Sequence, residues 1–322
     1  MNIKLKCSLI YAGDRFLLSG KKGYQLPYIN DEKISQFLRA LSVGLPVDQV
    51  KEYLCSEKLK ILYSVLEKEK LLTVLSDDHR NTSLEKTYEY FCYHLGDLRS
   101  PFNFKENLHI AIVGCGGTGA NVALCLASSG FGNFTLVDYD TVQKSNLNRQ
   151  FAYDSRDVGK SKVVCLRNKL QHINPELNIS ILEKKITDTH DLDALPGNVD
   201  LIVSAIDYPA VHSSIFTTKY AIKRDIPIIF GAVGYECISA GPLLTHQASR
   251  YSYLESLMKV ENIDTQPVTG SLSSTNLTLS SMLATNITTW FYPFSQTDLR
   301  DVRKIYNAAS MALVSVVNYG HY

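Results

Sequence analysis

An apolar strand that runs into a cluster of glycines and then a small-residue helix leaves few folds open. In this chain the run is IVGCGGTGANVALCLASSGFGNFTLVDYD, from Ile112 to Asp140. Gly114, Gly116, Gly117 and Gly119 crowd the turn, and a second strand comes next and ends in acid. In such a unit the glycines let backbone approach phosphate, and the helix N-terminus offers amide donors at the positive end of its dipole. The pattern continues from Leu108 onward. IAIVG, FTLVD, NISIL, DLIVSA and PIIFGAV are short β-branched runs separated by helical stretches. The expected fold class is α/β, a doubly wound, mostly parallel, Rossmann-like sheet. After Gly241 the signal weakens: LTLSSMLATNITTWF reads as a late helix, and GSLSSTN before it as a loop.

Residues beyond the turn decide which nucleotide it would hold. An acid at the end of the second strand, Asp138, suits ribose hydroxyls, which serves NAD and ATP alike. Past it, DYDTVQKSNLNRQF carries Asn146, Arg149 and Gln150, and DVGKSK adds Lys160 and Lys162. Hydride transfer leaves a pyrophosphate intact and has no use for an arginine and a lysine converging on it. Nucleotidyl transfer needs them, because charge builds on the leaving pyrophosphate. VSAIDYP then places Asp207 at the end of a later strand. A carboxylate there suits Mg²⁺, which takes one or two protein carboxylates plus phosphate oxygens. Each piece has a plainer reading: a packing turn for the glycines, a loop cap for Asp140, a support for Arg149 in Gln150, a solvated Lys160, a helix cap at Asp207. Taken together, Arg149, Lys162 and Asp207 favour ATP with Mg²⁺ over NAD.

From Leu108 to Pro242 these residues resemble the adenylating enzymes related to ubiquitin activation and to thiamin and molybdopterin sulfur transfer. The likeness rests on the G-x-G-G-x-G turn, the D-x-D after the second strand, N-L-x-R-Q, a lysine thirteen residues past that arginine, and the later strand-end Asp. It implies that Gly114, Gly116, Gly117 and Gly119 cradle phosphate and that Asp138 binds ribose. It implies further that Asn146, Arg149 and Lys162 bind the triphosphate and Asp207 handles Mg²⁺, with Asp140 and Gln150 in the same site. Arg149, Lys162 and Asp207 are the implied catalytic residues. The implied reaction is attack of a carboxylate on the α-phosphate of ATP, giving an acyl-adenylate and pyrophosphate. A homodimer is also implied, in which a basic residue upstream of the glycine turn reaches the partner's site. Arg80, Lys86 and Arg99 lie in that stretch, and the sequence does not choose among them.

The family pattern is broken in two places. The chain has no C-x-x-C pair, so no structural zinc is expected. Cys237, in GYECISAG, sits in an expected strand near the sheet end, and its apolar neighbours favour a buried structural thiol over an acyl-accepting nucleophile.

Residues 1–78 read as a separate, small α+β domain. Ile3, Leu5, Cys7 and Leu9 alternate with polar residues as one half-buried strand, and FLLSG and YQLPYI complete a small sheet. Ile34, Phe37, Leu38 and Leu41 form a helical face after an Asn30–Asp31 cap. Val47, Val50 and Leu54 form a second, and Leu59, Leu62, Tyr63 and Leu66 a third. The arrangement is winged-helix-like. LSDDHRNTS and EKTYEYFCYHLG make residues 79–107 a linker and helix, leaving 108–322 for the ATP-binding adenylation domain. The N-terminal domain resembles the peptide-recognition element of enzymes that modify ribosomally made peptides. That likeness implies a precursor peptide whose leader is captured by strand addition. It also implies activation of a carboxylate on that peptide, leading to cyclisation or another condensation in peptide antibiotic biosynthesis. Two alternatives stay open: activation of a ubiquitin-like or sulfur-carrier C-terminus, and a non-catalytic recognition scaffold.

Charge excludes other partners. The 33 basic and 32 acidic residues nearly cancel, and the lysines of SEKLKILYSVLEKEK are matched by glutamates, so neither nucleic acid nor an anionic membrane is expected. No apolar run reaches membrane-spanning length. The seven cysteines are odd in number and scattered, several in apolar runs, as buried free thiols of a reducing cytoplasm would be.

Overall fold

A computed structural model describes the chain except residues 13–14, 20–22, 28–30, 97–101, 106, 261–269 and 321–322. Asn30 and Arg99, both singled out above, lie outside the described residues. The chain divides into two compact units, Met1–Asn103 and Phe104–Tyr322.

In the first unit, β1 (Asn2–Leu5) pairs antiparallel with both β5 (Leu45–Pro46) and β6 (Leu72–Leu75). A separate antiparallel meander joins β2 (Ser8–Ala12), β3 (Arg15–Ser19) and β4 (Gly23–Pro27). The alternation from Ile3 to Leu9 is therefore two strands in two sheets rather than one strand. Lys6 breaks the run, its amide donating to Leu71 O at 2.7 Å and its Nζ to Gly96 O at 3.1 Å. A period of two survives such a bend, so alternation cannot show it.

Helices α1 (Glu32–Val43), α2 (Val47–Tyr53) and α3 (Glu57–Lys68) come next. Asp31 caps α1, accepting from Lys33 N at 3.1 Å. Ile34, Phe37, Leu38, Leu41, Leu59 and Leu66 meet Phe16 and Leu18 of β3 in one core. Helix α4 (Glu85–His94) belongs to this unit, where Thr73 Oγ1 donates to Cys92 O at 2.9 Å.

The second unit is built on one eight-stranded sheet. Its parallel part runs in the order β9 (Asn178–Leu182), β8 (Asn133–Val137), β7 (His109–Val113), β10 (Leu201–Ser204), β11 (Ile228–Val233). The order reverses between β7 and β10, and in sheets of this kind ligands bind at the carboxyl ends beside such a reversal. Strands β12 (Cys237–Leu244), β13 (Val302–Asn307) and β14 (Leu313–Asn318) then extend the sheet antiparallel.

Helices cover both faces. On one, Ala111, Val113, Ile202, Ile228 and Phe230 pack with Phe216 and Tyr220 of α7 (Ala210–Arg224) and Tyr253 of α8 (Gln247–Met258). On the other, Gly119 of α5 (Gly117–Ser128) lies against Ile112, and Leu279 and Leu283 of α9 (Ser273–Phe291) lie against Gly231. Helix α6 (Lys162–Ile173) links β8 to β9.

The loop expected at GSLSSTN is shorter than anticipated, because α9 begins at Ser273. Thr275 Oγ1 and Asn276 Nδ2 both donate to Leu272 O, at 2.8 and 3.1 Å, so the polar residues close the first turn instead of preventing it. Among the described residues no helix is long and apolar enough to cross a membrane.

Candidate functional site

The carboxyl ends of β7, β8 and β10 gather most of the residues singled out in the sequence. Gly114 leaves β7 at φ +97°, a conformation that side chains resist, and a Cβ there would press on the Ala205 carbonyl. A Cβ on Gly119 would overlap Gly114 O. One on Gly117 would sit 2.6 Å from Asn276 Oδ1 and 3.6 Å from Arg149 Cγ. Of the four, only Gly116 faces open space, its nearest neighbour being Gln150 Nε2 at 3.9 Å. Gly114 and Gly119 are thus required by backbone packing, Gly117 meets the end of the Asn276 side chain, and Gly116 keeps backbone accessible at the start of α5.

Asp138 ties the strand ends together. Its oxygens accept from Cys115 N at 2.7 Å and from Asp140 N at 2.9 Å. Burial pushes its carboxyl above the usual range, opposed by the charge of Lys162 and by those two amides. Tyr153 braces the turn from the far side, donating to Cys115 O at 2.7 Å.

Lys162 opens α6 and is buried, with Nζ 3.0 Å from Asp140 Oδ2. Asp140 is the counter-ion of Lys162, and its carbonyl also accepts from Lys162 N at 3.0 Å. Arg149 is half-buried and rests on its own loop, Nη1 donating to Ser145 O and Asn148 Oδ1 at 3.0 Å each. Asn146 is buried, its Oδ1 accepting from Gln143 N at 2.9 Å to close a short 3-10 turn. Gln150 is 3% exposed, and its Oε1 has no partner.

Asp207 stands exposed just past β10. Partial burial and the negative charges of Asp140, Asp138 and Asp207 push the Tyr139 phenol up, opposed by the charge of Lys162. Lys160 is solvated and sits 3.9 Å from Asp157. Arg80 and Lys86 are exposed in the first unit, paired with Asp77 at 3.9 Å and Glu89 at 3.6 Å.

These residues fit a nucleotide. The open backbone at Gly116, the start of α5, and the cations of Arg149 and Lys162 are an anion-binding set. The partnerless Gln150 oxygen is a buried acceptor awaiting a donor. For Mg²⁺ the fit is a single carboxylate, Asp207, with its remaining ligands drawn from phosphate and water. Among the described residues no group of three or more His, Cys, Asp or Glu forms a cation site.

Cys237 corrects an expectation. It is exposed, not buried, because it is the first residue of β12 beside the hairpin tip, where its carbonyl accepts from Gly234 N at 2.8 Å. Cys55 is exposed as well, whereas Cys92, Cys115 and Cys165 are buried, and burial raises the Cys115 thiol well above its usual range. Mass spectrometry after brief alkylation of the native protein should therefore find Cys55 and Cys237 modified first. Equally fast modification of Cys115 would contradict the packing of the glycine turn.

Sequence reasoning missed the supports of the site. Asn121 of α5, Asn276 and Ser280 of α9, and Tyr153 all touch the turn or the Arg149 loop. An asparagine inside the apolar helix GANVALCLA was a readable signal; Asn276 lay in the stretch read as loop.

Fold and site together define a Rossmann-like domain whose switch point carries a glycine turn ringed by an arginine, a lysine and carboxylates. The chain belongs to the ThiF family, whose profile matches residues 105–320. Molybdopterin-synthase adenylyltransferase of Escherichia coli strain K12 is 38% identical over 127 residues, 39% of this chain and 50% of that protein. tRNA threonylcarbamoyladenosine dehydratase of Haemophilus influenzae is 33% identical over 126 residues, 39% of this chain and 48% of that protein. The chain thus spans about half the length of these relatives. A crystal structure of E. coli MccB with ATP is similar over 100% of this chain and 98% of that one, at TM-score 0.73 and 19% identity. A structure of PaaA covers 84% of this chain and 95% of that one, at TM-score 0.68 and 22% identity.

Proposed function

We propose that this chain is an ATP-dependent adenylyltransferase that activates a carboxylate on a ribosomally made precursor peptide. The observation that carries the peptide reading is the extent of the likeness. The adenylyltransferase relatives match 39% of the chain, whereas the MccB structures match all of it, the N-terminal unit included. One of those structures holds a MccA-derived molecule. The N-terminal meander offers two edge strands, β2 and β4, for an extended leader, with Ile10 and Tyr11 exposed on β2.

The chemistry follows from the site. A carboxylate oxygen attacks the α-phosphorus of ATP; that P–O bond forms as the bond to the bridging oxygen breaks, giving acyl-adenylate and pyrophosphate. Lys162 releases Asp140 to meet the phosphates, and Arg149 swings from Ser145 O and Asn148 to the same charge. Asp207 would hold Mg²⁺, whose charge offsets that of the phosphates. A nucleophile elsewhere in the peptide then displaces AMP, in a ring-forming or other condensation. The protein works as a cytoplasmic homodimer in this reading.

The test is ATP–pyrophosphate exchange with Mg²⁺, with and without peptides encoded beside the gene. Peptide-dependent exchange is the expected result. Ile10→Asp should weaken peptide binding about tenfold and leave ATP affinity unchanged, since a charge on the strand face disfavours docking. Equal loss of both affinities would contradict this division of labour. A second reading, activation of a sulfur-carrier C-terminus, is favoured by the names of the curated relatives. Exchange that responds to a small Gly-Gly-ending protein and to no peptide would establish it instead.

A further inference from the structure

We propose that Asn121 is a positioning residue that holds the Arg149 backbone against the phosphate turn. The proposal rests on the adenylation reading only for its kinetic consequence. Asn121 lies in α5 two residues past the last glycine and is 2% exposed. Its Nδ2 donates to Gly117 O at 2.7 Å and reaches Arg149 O at 3.4 Å. One amide thus spans the first residue of α5 and the backbone of the arginine that must meet phosphate.

Both partners are carbonyls, so the orientation of this amide is fixed: only the NH₂ end can face them. The consequence is that Oδ1 is left buried with no partner. An unpaired buried acceptor is unfavourable, and an asparagine inside a helix is a poor helix former. Stability therefore does not explain this residue, whereas a link between two segments of the site does. The same two segments touch beside it, where Arg149 Cγ lies 3.6 Å from the place a Gly117 Cβ would occupy. Arg149 N and Gln150 N are tied to Asn146 O at 3.1 and 3.0 Å, so fixing one carbonyl orients the whole N-L-x-R-Q turn.

Two variants separate the link from helix packing. Asn121→Leu removes both hydrogen bonds and the orphaned oxygen. Asn121→Ser keeps a hydroxyl bond to the Gly117 carbonyl, four residues back, and is too short for Arg149 O. Both should stay folded, since each trades the orphaned Asn121 oxygen for an unpaired Arg149 carbonyl. Both should lower kcat for exchange about tenfold, with KM for ATP within about threefold, as expected when a charge is misplaced. In the Arg149→Ala background, either change should cost less than about twofold, because residues acting through one another are not additive. Wild-type kcat in Asn121→Ser, or full additivity with Arg149→Ala, would overturn the proposal. Hydrogen exchange at the Arg149 and Gln150 amides gives an answer independent of activity, and should quicken in both variants. Unchanged protection there would also overturn it. Should the wild-type protein show no exchange of pyrophosphate with any candidate, the adenylation reading fails and the amide protection alone decides the role of Asn121.

Discussion

Lys162→Ala is expected to slow ATP–pyrophosphate exchange by about 10²- to 10³-fold, the usual loss when one preorganised donor to developing charge is removed. Arg149→Ala should cost a comparable factor. The cause is electrostatic. Lys162 is almost fully buried at the start of α6, where its charge acts through protein rather than water, and its carboxylate partner is the half-exposed Asp140. Losing the ammonium leaves Asp140 reachable by solvent but takes a compensating charge from buried Asp138, so the melting temperature should fall only modestly beside the loss of exchange. That contrast makes the test decisive, since a folded Lys162→Ala protein that exchanged within about threefold of wild type would remove the lysine from the chemistry. Asp140→Asn probes the other half of the pair. It should leave the fold intact and weaken exchange less, because it frees the lysine without deleting it.

The second large effect falls on stability. Gly119→Ala should destabilise the protein by about 4 kcal/mol or more, at the extreme of single substitutions. Its added carbon would overlap Gly114 O, which is backbone and cannot rotate away, while Gly114 itself is pinned by its own N–H to Val137 O at 2.8 Å. Gly116→Ala is the control. Its Cβ meets nothing nearer than 3.9 Å and its φ of −82° suits any residue, so the fold should survive while nucleotide affinity falls. Denaturant titration of the two variants checks this. Equal stability would mean that the contact between α5 and the end of β7 is looser than these distances imply.

The parallel half of the sheet was legible because each strand is β-branched and most are buried, and because helices of ordinary length separate the strands. The antiparallel extension was not. Strand β12 contains Gly241–Pro242, which reads as a turn. In the structure Gly241 takes φ +80° inside the strand, its open side against Val302 O. Strands β13 and β14 offered little pattern, since VRKIYN is half-buried throughout and LVSVVN leaves Leu313, Val314 and Val316 exposed. Within the site, residue types were legible and pairings were not. Asp140 and Lys162 lie 22 residues apart, and only the return of the chain to α6 brings them together. Cys237 misled because Ile238 beside it is fully buried while Cys237 itself stands exposed at the hairpin tip.

In the adenylation proposed above, the Asp140–Lys162 pair has a consequence for the fate of the product. A mixed anhydride of a carboxylic acid and AMP acylates any free amine it meets. An enzyme that generates one beside a lysine risks capping itself after a single turnover. Once pyrophosphate has left, a lysine drawn back onto Asp140 is held as an ammonium with no lone pair to offer the anhydride. The same contact that stores the lysine for phosphate would thus act as a guard, leaving an acyl-adenylate formed in the proposed reaction to its intended nucleophile.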